Sequence, residues 1–205
     1  MHIIVNAISA NTGGIVTYTT NLIDYFERAK ISATIYVPPG FNTTAKTDSS
    51  VEVVPVIKRF WGPVHRFLWE QISWRNVVKK SGADILFSSA NYGVLFPPIP
   101  QVLLVQGEIY LNPLYRDKVL PKLSAIERLS AYLRRHLMLF SARRSRATIF
   151  PSQVALNAAA DYWSKLFHTA SVNYLGVNPR FHIHGSHRKR EANRKNIYKQ
   201  WNYRR

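Results

Sequence analysis

Two adjacent glycines, Gly13 and Gly14, follow the apolar run His2-Ile3-Ile4-Val5 and precede the stretch Ile15–Leu22. A glycine pair between a strand and a helix lets backbone N–H groups approach a ligand with no Cβ in the way. The helix N-terminus behind it favours an anion through its dipole and its free N–H groups. Phosphate binding is the chemistry this suits. The spacing is neither GxGxxG nor GxxxxGKS/T, so the glycines alone leave two readings open. They form a phosphate cradle, or a tight turn that lets a helix pack on a sheet.

Other chemistry is sparse. The chain has no Cys, which removes disulfides, thiolate nucleophiles and thiolate metal sites. No Asp-x-Asp occurs, and the 11 Asp and Glu residues lack the spacing of an oxygen-ligand site. His182, His184 and His187 make an H-x-H-x-x-H cluster of zinc-ligand type. It sits in a polar, basic segment with no rigid support, so chance composition is the better reading and no metal is expected. No Gly-x-Ser-x-Gly nucleophile elbow is present. Glu108 suits the deprotonation of a hydroxyl if its pKa is matched to the task, although a solvated loop acid is the plainer reading.

These residues must be positioned by alternating elements. Apolar, β-rich runs occur at His2–Asn6, Ala33–Val37, Val51–Val56, Asp84–Ser88, Gln101–Gln106, Ala147–Phe150 and Ser171–Tyr174. Helical periodicity lies between several of them, at Gly14–Lys30, Val64–Lys80, Lys118–Arg144 and Ser152–Leu166. Strand, helix, strand at this spacing predicts βαβ units in a mostly parallel sheet flanked by helices, a single Rossmann-like α/β domain. In the second helix Val64, Phe67, Leu68, Ile72 and Val78 are expected to face the core, with Trp69 on the opposite side.

Three pieces in order resemble one family. Gly13-Gly14-Ile-Val-Thr17-Tyr-Thr-Thr-Asn21-Leu22 is similar to the glycine loop of GT-B fold, family-four glycosyltransferases. Asp84–Val105, which contains Asn91 and Tyr92, resembles that family's fourth-strand loop and fifth strand. Ala147–Ser152 with Val172–Phe181 is similar to its lead into the second domain. The resemblance covers residues 1 to about 181 and implies a retaining, nucleotide-sugar-dependent transferase acting on a glycan or lipid-linked acceptor. In that arrangement the N-terminal domain holds the acceptor, and its glycine loop reaches the donor diphosphate. The resemblance implies a substrate-lining role for Gly13, Gly14, Thr17, Asn91, Tyr92, Gln106 and Glu108, names no catalytic residue, and calls for no cofactor beyond the nucleotide-sugar substrate. Many relatives carry a His after the fifth strand, where this chain reads Val105-Gln106-Gly107-Glu108. After Phe181 there is a single acidic residue, Glu191, so neither a second α/β domain nor a pair of glutamates is expected. On this reading the chain is a truncated transferase, inactive alone, that meets a nucleotide sugar only with a missing C-terminal domain.

The net charge of +17 is concentrated. Ile183–Arg205 and Arg116–Arg146 each carry a net +7, and residues 182–205 are expected to be a disordered basic tail. The segment Lys58–Arg75 interleaves cations with Trp61, Trp69 and Trp74, a pattern compatible with peripheral contact to an anionic membrane. A core-facing stripe with a solvated back is the plainer alternative. No secretory signal and no spanning segment are visible, so the chain is expected in the cytoplasm, free or on the membrane face. The competing class is a non-catalytic binding module that recognises polyanions. Specific nucleic-acid recognition is not expected, because stacking platforms and groove-reading motifs are missing.

Overall fold

All seven β-rich runs form strands: β1 His2–Asn6, β2 Ser32–Val37, β3 Val51–Pro55, β4 Ile85–Ser88, β5 Gln101–Leu104, β6 Ala147–Phe150 and β7 Ala170–Val172. They make one sheet of order β3-β2-β1-β4-β5-β6-β7, and every pairing is parallel. The computed structural model describes residues 1–42, 50–57, 60, 62–162 and 170–174, which fall in one unit, Met1–Tyr174. The expected basic tail and its histidines lie outside the described residues.

Parallel strands are joined by crossovers that put helices on both faces, so both faces must be apolar. Neighbouring side chains of β1 show this directly. Val5 packs with Ile23 and Phe26 of α1 (Gly14–Arg28), and Ile4 packs with Trp74 and Val78 on the other face. A third cluster joins Leu103 and Phe150 of the sheet to Met138 and Leu139 of α4 (Ala125–Arg144) and to Ala155 and Ala159 of α5 (Gln153–Tyr162). Helix α4 starts at a capping box. The Ser124 hydroxyl accepts from the Glu127 N–H, and the Glu127 carboxylate accepts from the Ser124 N–H at 2.9 Å.

The second helical segment differs from expectation. It consists of α2 (Pro63–Trp69), one π-helical turn (Glu70–Trp74) and α3 (Arg75–Lys80). The wider turn brings Glu70, Trp74 and Val78, four residues apart, onto the inner face. Val64, Leu68 and Ile72, expected in the core, point outward at 71%, 53% and 65% exposure. Trp69, expected outside, packs inward against Phe60 and Trp74 with ring centroids 5.3 and 6.5 Å apart. The indole rings have more apolar area to bury than the aliphatic stripe, and they find an aromatic partner in Tyr36 of β2, 4.7 Å from Trp74. Trp69 therefore gives no support to a membrane face.

Trp74 is fully buried, yet its indole N–H has no hydrogen-bond partner. Trp74→Ala is expected to cost about 3–5 kcal/mol. Trp74→Phe should cost clearly less, because it removes an unsatisfied donor along with part of the ring. Urea unfolding of the two variants checks the order.

Candidate functional site: the carboxyl edge of the sheet

In an open parallel sheet, ligands bind outside the carboxyl ends of the strands, at the point where the strand order reverses. Here that point is β1, flanked by β2 and β4. Asn6, its last residue, is 6% exposed and ties the edge together. Its backbone carbonyl accepts from the Ser89 N–H at 3.2 Å and from the Ser89 hydroxyl at 2.8 Å. Its side-chain oxygen accepts from the Ile8 N–H at 3.2 Å, and its side chain also hydrogen-bonds Glu70.

The glycine turn follows. Gly13 caps α1 with φ +72°, a conformation that favours glycine, and Gly14 is the first helical residue. No side chain caps the helix, and a Cβ built on either glycine meets nothing within 4 Å. The Val16 N–H bonds back to the Gly13 carbonyl at 3.1 Å, and the exposed Thr17 side chain lies in the first turn.

The other expected residues gather beyond β4 and β5. Asn91 is half-buried, and its side-chain oxygen accepts from the N–H groups of Gln106 and Gly107 at 2.8 and 2.7 Å. A Cβ on Gly107 would come within 2.8 Å of the Asn91 amide nitrogen, so this residue must be small. Asn91 is accordingly a clamp that shapes the loop, and the Gln106 side chain retains a buried amide nitrogen without a partner. The half-buried Tyr92 ring contacts Phe67 at 6.1 Å, and burial raises its pKa. Glu108 opens a short 3-10 turn, Glu108–Tyr110, but its side chain lies outside the described residues.

Sequence reasoning missed the buried supports of this edge. Gln101 is 1% exposed and fully paired. Its oxygen accepts from Ser88 and the Val94 N–H, and its nitrogen donates to the Val94 carbonyl and to Ser145. Glu70 is 8% exposed and faces Arg66 at 3.7 Å. Burial pushes its carboxyl up to about 7, against the opposing pull of Arg66 and the Asn6 hydrogen bond. A polar Gln opening a strand and a Glu among aromatic residues were the available signals.

A cavity of about 660 Å³ opens at the ends of β1, β2 and β3, between Ile8, Pro38, Ile57, Phe60 and Arg66. The cations of α4 are less available than their number suggests. Arg135 stacks on Tyr132 and Tyr162 at 5.1 and 4.5 Å, Arg134 lies 5.9 Å from Tyr110, and Arg144 lies 5.1 Å from Phe96. No helix among the described residues is long and apolar enough to cross a membrane.

A doubly wound α/β sheet with an uncapped glycine turn and a polar switch point defines a domain of the Rossmann-like class. The model of Glycosyltransferase Family 4 matches residues 12–181, and the chain belongs to that family. Among solved structures it is similar to Glycyrrhiza uralensis UGT73P12 complexed with glycyrrhetinic acid 3-O-monoglucuronide. The two share 12% identity with a TM-score of 0.52, over 86% of this chain and 48% of that one. At this identity the likeness concerns the fold, and the chain spans about half the length of that structure. No curated protein matches it.

Glu70 gives a signed pH dependence. Its folded pKa lies above the unfolded value of 4.5, so its contribution to stability is fully present below about pH 4.5 and is lost as pH rises through about 7. The loss amounts to roughly 3 kcal/mol. Glu70→Gln, which mimics the protonated form, should remove this component. Subtracting variant from wild-type unfolding free energies across pH 5 to 8 isolates it.

Proposed function

We propose that this chain is the acceptor-side half of a retaining glycosyltransferase that uses a nucleotide sugar and a glycan or lipid-linked acceptor. The observation that carries the reading is the family match over residues 12–181, which takes in the open glycine turn at the end of β1. In this reading the N–H groups behind Gly13 and Gly14 receive the donor diphosphate, as a helix N-terminus does. Gln106 and Glu108 lie along the loop held by Asn91, near the reacting hydroxyl. The reading calls on no metal, since the sequence offers no Asp-x-Asp. It places the protein in the cytoplasm or at the inner membrane surface.

In this reading residues 1–174, which hold one seven-stranded sheet, supply the acceptor side, and donor binding and the chemical step draw on a second α/β domain. We expect no transfer from a radiolabelled nucleotide sugar by residues 1–205 alone. Robust transfer would overturn that part of the proposal.

The glycine turn is tested separately. Titrating the isotope-labelled chain with UDP or GDP should shift the amide resonances of Gly13, Gly14 and Ile15. Gly14→Ala should weaken this response without lowering the melting temperature, because its methyl meets no protein atom within 4 Å. Gly13→Ala should cost about 1–3 kcal/mol, because φ +72° with ψ −151° is a region essentially reserved to glycine. A turn that serves packing alone would show no nucleotide response in any of the three proteins.

A further inference from the structure

The cavity at the ends of β1, β2 and β3 has a composition that selects its occupant. Its volume, about 660 Å³, lies in the range of sites that enclose a small molecule. Its walls are apolar: Ile8, Pro38, Pro39, Ile57 and Phe60. Among the described residues the polar side chains of the lining are Asn11 and Arg66, and Arg66 carries the charge. A bare sugar, rich in hydroxyls, would bring many donors and acceptors into this space and leave most of them unpaired. An acid attached to an apolar body would match both the walls and the cation.

Arg66 is prepared for such a role. Its side chain is 28% exposed and stands on the buried Glu70 at 3.7 Å, a separation longer than a hydrogen bond. Its Nε is buried and has no hydrogen-bond partner. The guanidinium is therefore oriented from below by a carboxyl group that does not saturate it. Glu70 is in turn fixed by Asn6 and by the π-helical turn that aims it inward. Near neutrality the raised pKa of Glu70 leaves part of the Arg66 charge uncompensated.

We propose that this cleft takes an acceptor made of an apolar body bearing one acidic group, with Arg66 receiving the anion and Glu70 positioning Arg66. This rests on the acceptor-side reading above and narrows it from glycans and lipids in general to anionic amphiphiles. The anion alone would be supplied either by a membrane lipid phosphate or by a soluble sugar phosphate, and only the lipid phosphate also has the apolar body. The apolar walls favour the first.

Calorimetric titration of residues 1–205, without donor and at physiological salt, separates these cases with three probes: farnesyl phosphate, farnesol and glucose 1-phosphate. Farnesyl phosphate should bind at least about tenfold more tightly than either of the others, since each of those lacks one of the two matched features. Arg66→Gln should lose about tenfold or more of that affinity and leave farnesol unchanged. Should Arg66→Gln fail to fold, Ile57→Glu serves instead. Ile57 is 93% exposed at the rim, so the added carboxylate repels the anion while the Arg66–Glu70 pair stays intact. The basic C-terminal residues are common to all these proteins, so a difference between variants reports the cleft. Equal binding of farnesol and farnesyl phosphate would overturn the role of the anion. Equal binding of glucose 1-phosphate would overturn the role of the apolar body, and affinity insensitive to both substitutions would overturn the site. None of these outcomes bears on donor transfer, so the cleft and the transferase reading fail independently.

Discussion

Parallel pairing governs this molecule. A parallel ladder admits no tight hairpins, so each strand returns to the same end of the sheet through a crossover. The carboxyl ends of seven strands therefore collect along one edge, where the loops leaving them and the adjoining helical turns carry polar chemistry. The glycine turn after β1, the Asn91-clamped loop after β5 and the cleft beside Arg66 share that edge because topology put them there.

The edge is rigid through buried polar groups as well as apolar packing. The Asn6 and Gln101 side chains bond loop backbone at Ile8 and Val94, and the Ser89 hydroxyl donates to the Asn6 carbonyl at the end of β1. Gln71 and Arg75 reach from the helical segment to the Leu95 N–H and the Phe96 carbonyl of the same loop. Satisfied inside the protein, such groups hold one loop conformation. The buried Arg66 Nε and Gln106 amide nitrogen, by contrast, have no hydrogen-bond partner within the protein. Glu70 is the exception in cost: a carboxyl group taken out of water beside a single distant cation is stable there mainly as the neutral acid.

Charge plays a smaller part than the composition suggests. Several arginines of α4 lie against tyrosine and phenylalanine rings, and Arg116 pairs with Asp117 at 2.7 Å. An exposed pair of this kind adds little stability.

Much of the architecture was legible in the sequence alone. Seven apolar, β-branched runs identified the seven strands, and their alternation with helices implied the parallel sheet, because both signals are local and periodic. The Gly13–Gly14 turn was visible too, since only glycine readily adopts the left-handed φ that Gly13 has. Which face of residues 63–80 turns inward was decided by tertiary structure. One π-helical turn altered the spacing, and the tryptophans outcompeted Val64, Leu68 and Ile72 for contact with Tyr36 and Phe60. The role of Asn91 as a clamp, the pairing of Glu70 with Arg66 and the full satisfaction of Gln101 were likewise settled only in three dimensions. Each joins residues far apart in the chain or depends on burial, and local periodicity carries no information about either.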